Sequence, residues 1–261
     1  MELQTTTHSI VEALTRIKVN MDDARNTYPY ITLLADEPDG SGAQQGAVFA
    51  TDTVAFIESR FEATVVKPGV CQVDKKFVQI LANMPDELVT MKLDGSRVRL
   101  QTQSGIKARL QIVDRPPVPY QVVRQKLAEA HYDFAGSLNK ADLMALVRMS
   151  KILPEAEDGS SPYKAVVLKI DGERVIGSSQ FSSVGAVEEM PVRIENFVTL
   201  SENPITIIVD TTYFEPVLNI CTDRVYMQAS GSPSVPLMLG DPDIPSWVGM
   251  LAKLNLRSNQ T

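Results

Sequence analysis

The sequence predicts an α+β fold made of two repeated domains, each with two helices on one face of an antiparallel sheet. Three observations carry this. A short amphipathic helix followed by a strand meander occupies residues 73–112, a second copy of that design follows 137 residues later, and a proline-rich break separates the two. In the first copy Asp74 can cap a helix in which Phe77, Ile80, Leu81 and Met84 recur at i, i+3, i+4 and i+7, and Pro85 ends it. Lys75, Lys76, Gln79 and Asn83 fall off that apolar face. LVTMKL, RVRLQT and IKARLQI then alternate apolar and polar residues, split by the turn pairs Asp94-Gly95 and Ser104-Gly105, as half-buried antiparallel strands do. In the second copy Asp210 caps TTYFEPVLNIC, whose Phe214, Val217, Leu218 and Cys221 repeat the apolar positions, and the strand-like RVYMQAS and VPLML follow.

Taken in order, residues 8–20 form a first helix, with Ile10, Leu14 and Ile17 on one face, Arg16 and Lys18 off it, and Thr6 or Thr7 as cap. YITLLA and GAVFATDTVAFIESRF read as strands around the loop DEPDGSGAQQG, and CQV leads into the helix already described. Pro116, Pro117 and Pro119 exclude a regular helix or central strand locally, so residues 1–114 form domain 1, 115–131 a linker and 132–261 domain 2. Residues 139–152 restart the pattern: Asn139 caps, Leu143, Leu146 and Val147 are apolar, and Lys140, Met144, Arg148 and Lys151 run along the opposite stripe. YKAVVLKI, RVIGSSQF, VGAVEEMPV, ITIIVD and the late PSWVGML supply strands.

Composition excludes several function classes. Twenty-five basic against 32 acidic residues give a net charge of −7, so nucleic acid would meet a local basic surface and not a basic protein. The two cysteines, Cys71 and Cys221, sit in apolar contexts and make neither a disulfide framework nor a zinc-ligand set, which fits a reducing compartment. No apolar run has transmembrane length and the start of the chain lacks the order of a secretion signal, so a soluble cytoplasmic protein is expected, with no membrane partner. The only histidines, His8 and His131, have no evident Ser or Cys partner, and no phosphate loop or dinucleotide fingerprint occurs. DEPDGSG lacks the alternating ligands of a calcium loop, and Glu188 and Glu189, adjacent on a predicted strand, point to opposite faces. No enzyme, metal or cofactor is expected. Each basic helix residue alone reads as a solvated face. Together they differ, because three of four predicted helices place basic residues opposite the apolar face in an otherwise acidic chain, the exception being TTYFEPVLNI, which contains Pro216.

These segments resemble the bacterial-type DNA sliding clamp, the beta subunit of the replicative polymerase. KFVQILANMPDELVTMKLDGSRVRLQTQSGIKARLQI resembles the close of that family's first domain, FATDTVAF its Thr-Asp strand motif, and DLMALVRMSKIL, VGAVEEMPV, ITIIVDTTYFEPVLNI and PSWVGML its last domain in order. The family has three such domains; two are the plan of eukaryotic, archaeal and phage clamps, which close six-domain rings as trimers, and a phage or other mobile-element origin fits. The resemblance implies the DNA clamp fold, a homotrimeric ring around duplex DNA, a tethered DNA polymerase and a clamp-loader ATPase. It also implies DNA contact through Arg16, Lys18, Lys75, Lys76, Lys140, Arg148 and Lys151, and a peptide pocket walled by Thr51, Val54, Ser234, Val248 and Met250. A clamp diverted to transcription or recombination, or a non-ring module mimicking a host clamp, are the alternatives.

Overall fold

The computed structural model describes residues 1–17, 30–36, 45–52, 54–115, 120–152, 164–181, 189–201 and 203–254. Lys18, most of the DEPDGSGAQQG loop, Glu188 and the end of the C-terminal tail lie outside them. The chain divides into two units, Met1–Ala128 and Glu129–Thr261.

In unit 1 the elements run β1 (Glu2–Thr6), α1 (Thr7–Ile17), β2 (Tyr30–Ala35), β3 (Gln45–Thr51), β4 (Ala55–Glu62), β5 (Thr64–Lys67), β6 (Gly69–Asp74), α2 (Lys76–Ala82), β7 (Leu88–Asp94), β8 (Arg97–Thr102) and β9 (Lys107–Gln111). The α+β antiparallel architecture is as expected, but the strands form two sheets where the sequence reading gathers them into one. The orders are β5-β1-β7-β8-β9 and β4-β3-β2-β6. Unit 1 is thus a strand–helix–three-strand motif used twice, joined by the edge strand β5, with first strands exchanged: β1 pairs with β7 from the second motif, and β6 with β2 from the first.

Unit 2 repeats the plan. It runs β10 (Phe134–Asn139), α4 (Lys140–Ile152), β11 (Lys164–Asp171), β12 (Arg174–Phe181), β13 (Met190–Val192), β14 (Ile194–Thr199), β15 (Ile205–Asp210), α5 (Thr211–Ile220), β16 (Arg224–Ala229), β17 (Leu237–Asp241) and β18 (Ile244–Leu251). Within the unit the orders are β14-β10-β16-β17-β18 and β13-β12-β11-β15, strand for strand those of unit 1.

The local chemistry explains the helices. Thr6 Oγ1 accepts the Ser9 N–H (3.2 Å), Asn139 that of Asp142 (3.2 Å) and Asp210 that of Thr212 (2.8 Å), while at α2 the cap residue Lys75 makes no such bond and Asp74 before it accepts the Lys76 N–H (2.8 Å), so a side-chain acceptor stands at the start of every repeat helix. Each helix buries one stripe: Ile10, Leu14 and Ile17 on α1, Phe77 and Leu81 on α2, Leu143, Leu146 and Val147 on α4, Phe214, Val217 and Leu218 on α5. Pro216 inside α5 removes one N–H, and the carbonyl it would have met belongs to solvent-exposed Thr212. In the Asp94–Arg97 turn Gly95 takes φ 57°, which a side chain would strain.

The stretch read as linker is not extended: immediately after the prolines it forms α3 (Tyr120–Glu129). A proline disfavours helical backbone in the residue before it but places no such restriction on the residues after it. Tyr120 stacks on Phe49 with ring centres 5.3 Å apart, and the Arg124 guanidinium lies 5.1 Å from the Phe49 ring centre. Arg124 also forks onto Glu58 (Nη2 2.8 Å, Nε 3.2 Å) and reaches Asp36 at 3.0 Å. Burial works against the guanidinium's charge, and the two carboxylates more than offset it, holding Arg124 above its ordinary value. Glu58 is 2% exposed and would be left with Arg60 alone if Arg124 were removed. Arg124→Ala should therefore cost about 2 kcal/mol, a fall in Tm of about 6 °C by circular dichroism. An unchanged melt would mean that α3 is held by Tyr120 alone.

Candidate nucleic-acid interface

The helix faces carry less free positive charge than the sequence suggests, and the reason is packing. On α1, Arg16 turns back to Glu12 one helical turn earlier. On α2, Lys75 and Lys76 are exposed and form no ion pair with any described residue, beside equally exposed Gln79 and Asn83. On α4, Lys140 Nζ donates to the Cys221 carbonyl at the C-terminal end of α5, where unsatisfied carbonyls and the helix dipole favour a cation. Lys151 pairs with Glu215 of α5 at 2.6 Å. Two of the three residues placed on a DNA-facing stripe therefore join α4 to α5, and exposed Arg148 is the one with no ion pair among the described residues. Neither Glu215 nor Cys221 is near α4 in the sequence, so no local pattern could have revealed these contacts.

The five residues assigned to a peptide pocket fall in two places. Thr51 and Val54 flank the turn joining β3 to β4: Thr51 Oγ1 donates to the Ala55 carbonyl (2.8 Å), and Asp52 accepts the N–H groups of Val54 (3.1 Å) and Ala55 (2.7 Å). The Thr-Asp pair thus builds this turn, leaving Thr51 buried and Val54 half-buried. In unit 2, Val248 and Met250 alternate along β18, facing Gly240 and Met238 of β17. Exposed Ser234 stands on the loop before β17, its hydroxyl 2.9 Å from that of Ser232. Asp133 braces that loop by accepting from Ser230 Oγ and the Gly231 N–H, both at 2.8 Å, and these bonds hold its carboxyl below the usual range. Lys253 Nζ donates to the Ser230 and Ser232 carbonyls; burial draws it below its ordinary value, opposed by Asp133. Half-buried Val248, Met238, Tyr226 and Gln228, with buried Met250, make this outward sheet face largely apolar.

The equivalent face of unit 1 differs in kind. Register matching from the helix caps puts Lys92, Arg99, Arg109 and Lys107 where unit 2 has Gln228, Met238, Met250 and Val248. Val89, Met91, Val98 and Leu100 on the other side of β7 and β8 are buried, so the basic residues point to solvent. This basic face escaped the helix-centred sequence reading, although the alternation in RVRLQT and IKARLQI was its signal. Among the described residues no group of three or more His, Cys, Asp or Glu could hold a metal, and no helix is long and apolar enough to cross a membrane.

No family model and no curated protein sequence matches the chain. Solved structures do. The DNA polymerase III beta subunit of Thermotoga maritima superposes with TM-score 0.76 at 17% identity, over 98% of this chain and 66% of that one. The DNA polymerase sliding clamp of Pseudomonas aeruginosa gives 0.74 at 16% identity (98% and 67%), and the beta sliding clamp of C. crescentus 0.74 at 15% (98% and 66%). This chain spans about two thirds of the length of these proteins. Its fold is that of the bacterial DNA polymerase III beta-subunit sliding clamps.

Proposed function

We propose that this protein is a DNA sliding clamp, a processivity factor that encircles duplex DNA and tethers a DNA polymerase. The observation that carries the reading is the likeness to sliding clamps over 98% of the chain. The work asked of such a ring is phosphate attraction without base readout, so that it holds DNA yet slides. Lys75, Lys76 and Arg148 supply exposed cations on helix faces, with Arg16, Lys18, Lys140 and Lys151 adding to the field from paired or flanking positions. Each unit serves as one clamp domain. Sheets with open edges at unlike ends of a chain join head to tail, and such contacts either close into a ring or grow as a filament. Six domains from three chains close around a duplex, and a loader ATPase opens the ring. The groove for partner peptides takes Val248, Met250 and Ser234 of unit 2, with binding concentrated in a few apolar anchors.

Light scattering over a concentration series should plateau at three times the 28.7 kDa chain mass. A plateau at twice that mass would refute the six-domain ring, and a monomer throughout would favour a non-ring module. Reversing Lys75, Lys76 and Arg148 to Glu spares the α4–α5 bridges and should shorten retention on nicked circular DNA at least tenfold; retention equal to wild type at low salt would remove the helix faces from the interface. Because Met250 is buried, the groove is best tested with Val248→Asp beside Met250→Ala. Polymerase stimulation should drop tenfold or more with the oligomer mass unchanged, and undiminished stimulation would move the partner site elsewhere.

A further inference from the structure

The solvent side of the five-stranded sheet in unit 1 is strongly basic, in a chain whose net charge is −7. Lys67, Lys92, Arg97, Arg99, Lys107 and Arg109 all point outward from β5, β7, β8 and β9 and are exposed, against the two acids Glu2 and Asp94. Lys92, Arg99 and Arg109 stand directly opposite one another across three adjacent strands. Glu2 pairs with Lys92 and Asp94 with Arg99, while Lys67, Arg97, Lys107 and Arg109 form no ion pair with any described residue. The remaining outward positions are chiefly neutral polar groups, among them Gln4, Thr90, Gln101 and Gln111.

We propose that this face binds the phosphate backbone of duplex DNA, as a second and sequence-independent contact separate from the helix faces. Three features select that occupant. Like cations packed at strand spacing repel one another, and a polyanion relieves that repulsion. The face carries no aromatic side chain, so it lacks the platforms on which single-stranded bases stack. Its exposed large apolar residues, Leu88, Val66 on the edge strand β5 and Ile106 in the turn before β9, lie at its borders, so it lacks the apolar centre around which protein interfaces form. A duplex supplies the complement: the sheet from β5 to β9 spans about 19 Å at about 4.8 Å per strand. Over that length a duplex presents about 11 phosphate charges, more than enough for the six cations. The equivalent face of unit 2, with Met238, Val248 and Met250 at the matching positions, has the reverse composition and does not compete for DNA.

The proposal does not depend on ring formation, and one experiment separates the two. The full-length protein is titrated by fluorescence anisotropy against a 30-bp duplex carrying streptavidin blocks at both ends, which a closed ring cannot thread. Wild type should bind with a log–log salt slope of about −3 to −4, as expected for about four phosphate contacts. The variant Arg97→Glu/Arg99→Glu/Lys107→Glu/Arg109→Glu should bind at least tenfold more weakly with a slope near zero. The variant Lys75→Glu/Lys76→Glu/Arg148→Glu should bind as wild type while losing retention on circular DNA. A neutral set, Arg97→Gln/Lys107→Gln/Arg109→Gln, should fall between and shows that the loss follows charge and not unfolding. Equal binding by wild type and a natively melting four-Glu variant would overturn the proposal, as would absence of wild-type binding at 50 mM salt. Self-association of wild type that the four-Glu variant abolishes, without binding of the duplex, would assign the face to a second copy of the chain and equally overturn it.

Discussion

Each unit depends on an exchange of strands. The strand before the first helix pairs in the sheet made by the second motif, and the strand before the second helix pairs in the sheet made by the first. A lone strand–helix–three-strand motif would have to bury an amphipathic helix on a sheet one strand short. The exchange completes both sheets at once and brings the two helices side by side, α1 on α2 and α4 on α5. Phe77 and Leu14, and in unit 2 Phe214 and Leu146, are buried for that reason. The pairing is long-range: Glu2 meets Lys92, so β1 finds its place only when most of unit 1 has been made, which slows folding relative to a locally wired domain.

The sequence made the helices and the repeat readable, because caps and apolar spacing are local signals. Asp74 and Asp210 mark helix starts whose apolar residues match at a constant offset; Asp210 is the cap of α5, whereas Asp74 stands one residue before the cap of α2 and accepts the Lys76 N–H. What escaped was carried by short or small-residue strands. β1 buries Leu3 and Thr5, the latter through a hydroxyl bond to the Glu62 carbonyl at 2.6 Å, so its inner face is only half apolar. β10 contains Gly136, where a Cβ would lie 2.8 Å from that of Phe197, so close packing there demands the residue that weakens strand signals. α3 hid behind prolines that end before it begins. The partners of Lys140 and Lys151 are brought near only by the fold, so a periodic basic stripe looked freer than it is.

The two units show how a duplicated framework divides its labour. Inward residues keep the shared plan, with Phe77 and Phe214 both fully buried at matching positions. Outward residues bear little on folding, since an exposed substitution away from caps and turns changes stability by about 0.5 kcal/mol or less. Lys107 and Arg109 could therefore diverge from Val248 and Met250 without disturbing the sheets that carry them. One backbone thus supports a charged face in one unit and an apolar face in the other.

Cys71 and Cys221, the only cysteines of the chain, have a consequence of another kind. Burial pushes both thiols up to about 12, so near neutral pH they hold their protons and are shielded from reagents. A cysteine introduced at an exposed site on β9 or beside α2 would then be the one reactive thiol per chain. Spin labels or fluorophores could be attached there without first removing native cysteines.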